Sequence, residues 1–163
     1  MASRAEWKIV LIDDEPGIRK VTGIILEDWG FRVKTAGNGE AGLKACADFL
    51  PQIVITDVKM PGMDGLCVLE TIRNDYPEMV VIVMTAFGDV ETAIRALQLD
   101  ASDFITKPVN DQALALALDR AKQRYTSARQ IREYTHRLET GWSGATAILM
   151  EKYRFQEQIS TAP

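Results

Sequence analysis

Short apolar runs recur five times along the chain and alternate with segments of helical periodicity. The runs are WKIVLI (7–12), FRVKTA (31–36), QIVIT (52–56), MVVIVMT (79–85) and SDFIT (102–106). The first, third and fourth are almost unbroken Ile, Val and Leu, which is typical of parallel strands covered on both faces. FRVKTA alternates between apolar and polar residues, which predicts a strand near the edge of the sheet.

Helix-start signals lie between these runs. Pro16 fits the first position of a helix, and the predicted N-caps are Asn38, Asp64, Asp89 and Asn110. Strand and helix that alternate in this way predict an α/β domain with a parallel sheet and right-handed crossovers.

The last predicted helix begins near Asn110 and meets no Gly or Pro before Gly141. Apolar or small residues recur on one face in steps of three or four: Leu114, Leu118, Ala121, Tyr125, Ala128, Ile131 and Leu138. This face is too poor in Leu and Ile for a strong coiled coil. Two interpretations stay open, namely a homodimer through this C-terminal helix and a solvated extension.

Composition and charge restrict the functional classes. The chain has 163 residues, a net charge of −4 and a pI near 5.1, which gives no bulk electrostatic reason for nucleic-acid binding. Basic residues after position 119 are diluted by acids and no helix-turn-helix follows, so no direct nucleic-acid contact is expected. His136, the single histidine, is expected to be a surface residue.

The sequence also gives expectations about cellular location. The longest apolar runs are too short to span a bilayer, and MASRAEWK lacks the apolar segment of a signal peptide. Cys46 and Cys67 match no metal or redox spacing, so both are expected to be buried or partly buried free thiols. No membrane association and a cytoplasmic location are therefore expected.

Chemically active side chains follow the predicted strands. Asp13 and Asp14 follow the first strand, Asp57 the third and Thr85 the fourth, and the fifth leads to Lys107. In an open parallel sheet, functional groups gather at the carboxyl ends of the strands. The sequence therefore predicts that three acids, a hydroxyl and an amine meet in one shallow pocket.

Three carboxylates beside one lysine leave an excess of negative charge, and each pKa unit of mutual perturbation corresponds to about 1.4 kcal/mol. A hard divalent cation relieves this repulsion, and an all-oxygen site suits Mg²⁺. A structural cluster of caps and ion pairs explains less, because one strand end needs only one acid for capping. Asp57 precedes the loop VKMPGMDG and is a candidate nucleophile toward phosphorus, with Thr85 and Lys107 as donors to a phosphoryl group.

Four motifs in order resemble a response-regulator receiver domain: DD at the first strand end, DVKMPGMDG at the third, MTA at the fourth and KP after the fifth. The resemblance covers residues 7–122. It implies a doubly wound, flavodoxin-like fold with five parallel strands in the order 2-1-3-4-5. It also implies transfer of a phosphoryl group from a partner sensor histidine kinase to Asp57.

The resemblance assigns a role to each acid. It implies that Asp14 and Asp57 bind Mg²⁺ directly, together with the backbone carbonyl of Lys59, and that Asp13 acts mainly through water. No cofactor other than Mg²⁺ is implied.

The resemblance further implies that Thr85 and Phe104 form a switch pair and that Lys107 is the phosphate partner, with a cis bond to Pro108. Many receivers have Tyr where this chain has Phe104, and Phe lacks a hydroxyl. We therefore predict a switch that works by packing alone. The alternative that Phe104 is simply a core residue stays open.

Two other functions compete with a phosphorylated switch. GNGEAG at residues 37–42 matches the glycine pattern of a dinucleotide-binding turn, and Asp57 ends the strand where a ribose-binding acid belongs. This interpretation leaves Asp13, Asp14, Thr85 and Lys107 unexplained, whereas a turn, an N-cap and close packing account for the glycines. The second alternative is a pseudo-receiver, an interaction module that keeps only the shape.

We expect a receiver domain at residues 7–122, a helical linker at 123–140 and a tail at 141–163 that begins a missing downstream domain. MTAFGDVETAIRAL resembles receivers of nitrogen-regulator-class transcription activators, in which an ATPase domain follows such a helix. No phosphate-binding loop of the form G-x-x-x-x-G-K-[ST] is present in the chain, so any ATPase activity would lie outside it.

Overall fold

The computed structural model describes residues 6–140, in which five strands alternate with five helices. The strands are β1 (Lys8–Ile12), β2 (Arg32–Ala36), β3 (Ile53–Asp57), β4 (Val80–Ala86) and β5 (Asp103–Lys107). The helices are α1 (Pro16–Asp28), α2 (Gly39–Phe49), α3 (Gly65–Asp75), α4 (Val90–Gln98) and α5 (Asp111–Thr140). The predicted tail, 141–163, lies outside the described residues.

The five strands form one parallel sheet in the order β2-β1-β3-β4-β5. This order confirms the predicted doubly wound fold, with β2 at an edge. Ile12 at the end of β1 pairs with Ala36 and with Thr56, so the carboxyl ends of the first three strands are level. Because all strands are parallel, the loops that follow them meet at this one edge.

Alternation along the strands divides the core into two layers. In β1, Val10 and Ile12 pack against the α2, α3 and α4 side, whereas Ile9 and Leu11 pack on the α1 and α5 side. All four residues are fully buried, as expected for a strand covered on both faces.

The predicted helix starts are all confirmed. Asn38, Asp64 and Asp89 each accept a hydrogen bond from the backbone N–H three residues ahead. Asn110 accepts from the backbone N–H groups of the second and third residues after it, at 2.8 and 3.1 Å. Pro16 is the first residue of α1. These caps satisfy N–H groups that have no partner inside their helices.

Helix α5 crosses the boundary between two units of the chain, which within the described residues comprise 6–125 and 126–140. In the first unit, the rings of Tyr125 and Trp7 form a T-shaped contact with centroids 5.5 Å apart, and the ammonium of Lys122 lies 4.7 Å from the Phe31 centroid. In the second unit, Ile131 and Tyr134 are 68% and 57% exposed.

The two cysteines differ in their environments. Cys46 on α2 is buried, as predicted, and burial raises the pKa of its thiol to about 12. Cys67 on α3 is exposed, so the prediction that it is at least partly buried was wrong. Cys67 lies on the solvent side of α3. Within residues 6–140, no helix has the length and apolar character required to cross a membrane.

Candidate functional site

The predicted acids meet at the carboxyl edge of the sheet. Asp13 and Asp14 follow β1 directly, and Asp57 is the last residue of the adjacent strand β3. One carboxylate oxygen from each of the three residues lies within 4.8 Å of the others. Asp13 and Asp57 are buried and Asp14 is half-buried. The structure therefore brings the three predicted acids together.

Lys107, the last residue of β5, joins two of these acids. Its Nζ donates to Oδ2 of Asp57 at 2.7 Å and to Oδ2 of Asp13 at 3.1 Å. The peptide bond from Lys107 to Pro108 is cis, as the resemblance implies. One ammonium group therefore faces three carboxylates, and the local charge is negative.

The pKa directions reflect this crowding. Burial raises the pKa of Asp57, the hydrogen bond and charge of Lys107 oppose the rise, and the charges of Asp13 and Asp14 add to it. Burial by itself would lower the pKa of Lys107, but its hydrogen bonds and charge interactions with Asp57 and Asp13 leave that pKa raised. The pocket therefore stabilises the charged form of Lys107 and disfavours the ionisation of all three carboxylates.

Asp13 is held at several atoms by surrounding elements. Its backbone N–H donates to the carbonyl of Ala36 at 3.1 Å, and its Oδ1 accepts from the backbone N–H of Glu15 at 2.9 Å. Nη1 of Arg19, on α1, donates to its backbone carbonyl at 2.7 Å. Sequence reasoning missed Arg19, for which the only available indication was an arginine in the helix that directly follows the acid pair.

Thr85 lies on β4 one residue beyond Met84, the residue that pairs with Asp57. It is 2% exposed, and among residues 6–140 its Oγ1 is the one buried side-chain oxygen or nitrogen without a hydrogen-bond partner. A buried hydroxyl without a partner costs free energy. Thr85 therefore has a hydroxyl available for a ligand of this pocket.

Phe104 and Lys59 lie outside the cluster of buried acids. Phe104 on β5 pairs with Val83 in the sheet and is 38% exposed, so it is not a core residue. Lys59, in the loop between β3 and α3, has an exposed side chain whose Nζ lies 3.9 Å from a carboxylate oxygen of Asp89.

The loop after β3 depends on two glycines for different reasons. Gly62 has a φ of +78°, a backbone conformation that residues with a side chain rarely adopt. Gly65 instead begins α3, and a Cβ there would overlap the carbonyl oxygen of Asp57 and lie 2.8 Å from its carbonyl carbon. Sequence reasoning assigned both glycines to the loop and missed this close approach.

Packing contacts explain the glycines of GNGEAG. Gly37 faces the guanidinium of Arg19, a Cβ at Gly39 would lie 3.0 Å from the carbonyl oxygen of Met63, and one at Gly42 would overlap the side chain of Ile12. Asn38 between them caps α2. Each glycine therefore has a structural role that needs no nucleotide.

The three acids fit a hard divalent cation. Carboxylate oxygens are the ligands that Mg²⁺ prefers, and the excess negative charge around Lys107 gives a reason to bind one. The identity and spacing of these donors, with an oxygen of each within 4.8 Å of the others, suit a single ion.

Sequence comparison assigns the chain to a family that agrees with the fold, the acid cluster and its lysine. The family profile described as the response regulator receiver domain matches residues 9–119, and the chain belongs to this family. Receiver domains bind Mg²⁺ at an acidic pocket and are phosphorylated by sensor histidine kinases.

Individual proteins and one solved structure are also similar to the chain. The chain is 36% identical to the regulatory protein AtoC of Escherichia coli over 83% of this chain and 29% of that protein. It is 35% identical to the nitrogen assimilation regulatory protein NtrX of Azorhizobium caulinodans, over 77% of this chain and 28% of that protein. The crystal structure of NtrX from Brucella abortus superposes with a TM-score of 0.76 at 32% identity, covering 90% of this chain and 34% of that one. The chain thus spans about a third or less of these relatives.

Proposed function

We propose that the chain is a phosphorylation-dependent switch in which Asp57 accepts a phosphoryl group from a sensor histidine kinase. The observation that carries this proposal is the contact between Lys107 and Asp57 beside Asp13 and Asp14. A structural ion pair needs one acid, whereas this pocket concentrates three. Membership of the receiver family supports the same conclusion.

In the proposed reaction, a carboxylate oxygen of Asp57 attacks the phosphorus of the donor. A bond forms between this oxygen and phosphorus, and the bond from phosphorus to the donor nitrogen breaks with its electron pair staying on that nitrogen. The donor ring, protonated at its other nitrogen, leaves as a neutral imidazole. The product is an acyl phosphate. Lys107 holds the Asp57 carboxylate in place through the 2.7 Å hydrogen bond to its Oδ2.

Asp14, Asp57 and the backbone carbonyl of Lys59 are the proposed direct ligands of Mg²⁺, with Asp13 acting through water. When bound, the cation offsets the negative charge that gathers around the transferred group. The Asp13, Asp14 and Asp57 cluster supports this assignment, and the carbonyl of Lys59 rests on the family resemblance.

Thr85 and Lys107 are the proposed partners of the new phosphoryl oxygens. The unpaired buried Oγ1 of Thr85 supports its role, because the phosphoryl group gives that hydroxyl an acceptor. Changing a population from 1:99 to 99:1 requires about 5.5 kcal/mol of differential interaction. Hydrogen bonds to charged groups of about 1.5–3 kcal/mol each can supply it.

The signal then passes to the face around α4 and β5. Lys59, two residues after Asp57, forms an ion pair with Asp89, which caps α4, so movement of the loop can reach the start of that helix. Apolar side chains are exposed on and beside α4: Phe87, Val90, Ile94, Leu97 and Phe104. Phe104 takes part by packing, because it has no hydroxyl.

Output proceeds through the helix and the segments that follow it. We propose a receiver domain at 7–122, a linker helix at 123–140 and the start of a downstream domain at 141–163. A homodimer formed through α5 would carry the signal. A relative 38% identical over 75% of this chain is named a DNA-binding transcriptional regulator, NtrC of Escherichia coli, which supports an output in transcription.

Incubation with acetyl phosphate and Mg²⁺, followed by intact mass measurement, tests the proposal. The chain should gain one phosphoryl group, and this gain should disappear in Asp57→Asn and after addition of a chelator. Asp64→Asn is the matched control, because Asp64 caps α3 outside the acid cluster and should leave the gain unchanged. No gain under any of these conditions would indicate a pseudo-receiver.

A further inference from the structure

Arg19 makes a contact beside the acid cluster that the proposed phosphoryl transfer does not use. Its guanidinium Nη1 donates to the backbone carbonyl of Asp13 at 2.7 Å. This carbonyl belongs to the peptide group that joins Asp13 to Asp14. A peptide group is planar, so holding its oxygen also fixes the direction in which the Cα of Asp14 lies.

Asp14 depends on its backbone more than the other two acids do. The carboxylates of Asp13 and Asp57 are both held by Lys107. Within the described chain, 6–140, no hydrogen bond or ion pair reaches the half-buried carboxylate of Asp14. The peptide group before Asp14 therefore sets where its side chain starts, and no hydrogen bond or ion pair of that side chain within these residues adds a second constraint.

The absence of a side chain at Gly37 leaves space for the guanidinium of Arg19. A Cβ at Gly37 would lie 2.9 Å from Nη1 of Arg19 and 3.5 Å from its Cζ. Gly37 lies between β2 and α2, directly after Ala36, whose carbonyl accepts from the N–H of Asp13. The end of β2 therefore holds the N–H of Asp13 directly, and the turn after it leaves space for the arginine that holds the carbonyl of Asp13.

We propose that Arg19, seated against Gly37, is a positioning residue that orients Asp14 toward the divalent cation. The inference rests on the proposed cation site and adds the residues that set its geometry. It also gives the first glycine of GNGEAG a functional reason. Outer partners that orient metal ligands typically change metal affinity by about 10- to 100-fold when they are removed.

Two variants and one control test this role by isothermal titration calorimetry with Mg²⁺ alone. Arg19→Ala removes the hydrogen bond. Gly37→Ala keeps the arginine but displaces its flexible end, so the fold should tolerate the change. Both should weaken Mg²⁺ affinity by about tenfold. Lys20→Ala removes a positive charge from the exposed neighbour on α1 and should change the affinity by less than about twofold.

A second readout separates positioning from damage to the fold. With acetyl phosphate as donor, the Mg²⁺ concentration that gives half the maximal phosphorylation rate should rise in both variants. The maximal rate at saturating Mg²⁺ should stay near that of the unaltered chain. If Arg19→Ala does not fold, Gly37→Ala decides the question by itself.

The outcomes distinguish this inference from the proposed function. Mg²⁺ binding by the unaltered chain with the same affinity in Arg19→Ala and Gly37→Ala would overturn the positioning role alone. An equal loss in Lys20→Ala would also overturn it, because general charge would then be the cause. Absence of Mg²⁺ binding by the unaltered chain would overturn the cation site and this inference together.

Discussion

The positive charge of Lys107 offsets part of the repulsion within the acid cluster. Its ammonium group is largely buried and hydrogen-bonds to two buried carboxylates, those of Asp13 and Asp57. Removing one partner of a buried charge network leaves the remaining charges uncompensated, which costs about 3–5 kcal/mol. The energetic role of Lys107 is therefore separable from its proposed contact with a phosphoryl group.

We predict that Lys107→Met lowers the free energy of unfolding by about 3 kcal/mol in Mg²⁺-free buffer. Added Mg²⁺ should restore more stability to this variant than to the unaltered chain, because the variant has more uncompensated negative charge. Urea unfolding with and without Mg²⁺ measures both effects. Lys59→Met, which removes an exposed lysine, is the control. A loss no larger than that of the control would contradict the prediction.

Asp57 gives a pH dependence of defined sign. Because the folded-state pKa of Asp57 is raised above 3.8, the folded chain binds this proton more tightly than the unfolded chain. Its contribution to stability therefore improves as the pH falls from the raised value toward 3.8. Lys107, with a raised pKa, contributes stability below 10.5 and loses it as the pH rises through its folded-state value.

Comparison of the unaltered chain with Asp57→Asn isolates the pH dependence of stability that the Asp57 carboxyl contributes. In Mg²⁺-free buffer, the difference in free energy of unfolding should shift in favour of the unaltered chain as the pH falls toward 3.8. Lys107 stays protonated throughout this range, so its charge is constant. Urea unfolding at a series of pH values measures the difference. A shift in favour of Asp57→Asn would show that the pKa of Asp57 is lowered instead.

At the scale of elements, Gly65 couples the start of α3 to the end of β3. Its backbone N–H donates to the carbonyl of Val58 at 2.8 Å, and a Cβ would overlap the backbone of Asp57. This backbone cannot move aside without shifting the carboxylate that it carries. The close approach therefore links helix packing to the geometry of the site.

Gly65→Ala should lower the free energy of unfolding by about 1–3 kcal/mol and slow phosphorylation by acetyl phosphate. Gly17→Ala is the matched control on α1, where a Cβ would meet nothing within 4 Å. That change should be neutral or stabilise the chain by up to about 1 kcal/mol. Thermal unfolding and phosphorylation rates compare the two variants. Equal effects at both positions would refute the packing argument.

The elements were predictable because their causes are local. Apolar runs fixed the strands, and the N-caps Asn38, Asp64, Asp89 and Asn110 fixed the helix starts. The acid cluster was predictable because parallel strands bring their carboxyl ends to one edge.

The contacts that the sequence did not reveal depend on tertiary packing. The contact of Arg19 with Asp13 depends on how the chain turns from β1 into α1, and Gly65 meets Asp57 only in the assembled loop. The exposure of Cys67 and Phe104 likewise depends on which face of an element its neighbours cover. No spacing in the sequence contains that information.

At the scale of the whole molecule, the homodimer that we propose would form through the later part of α5. Ile131 is 68% exposed, and Ala128 lies on the same predicted face. We predict that the phosphorylated chain has a larger molar mass in solution and that Ile131→Lys remains monomeric. Light scattering after gel filtration measures this. Thr126→Lys, off this face, is the control; dimers of Ile131→Lys would favour a solvated helix.

The proposal as a whole depends on where the phosphoryl group is attached. Asp13, Asp14 and Asp57 all have a carboxylate oxygen within 4.8 Å of the others, so a change in intact mass does not by itself distinguish them. Of these three acids, only Asp57 combines two features. Its carboxylate accepts a hydrogen bond from Lys107, and its strand, β3, is adjacent to β4, which carries Thr85.

Borohydride reduction of the phosphorylated chain tests the central proposal most directly. Borohydride converts the acyl phosphate of an aspartate to homoserine, and peptide mass spectrometry then locates the changed residue. We predict homoserine at position 57, only when Mg²⁺ and a phosphoryl donor are both present. Homoserine at position 13 or 14, or at none of the three, would contradict it.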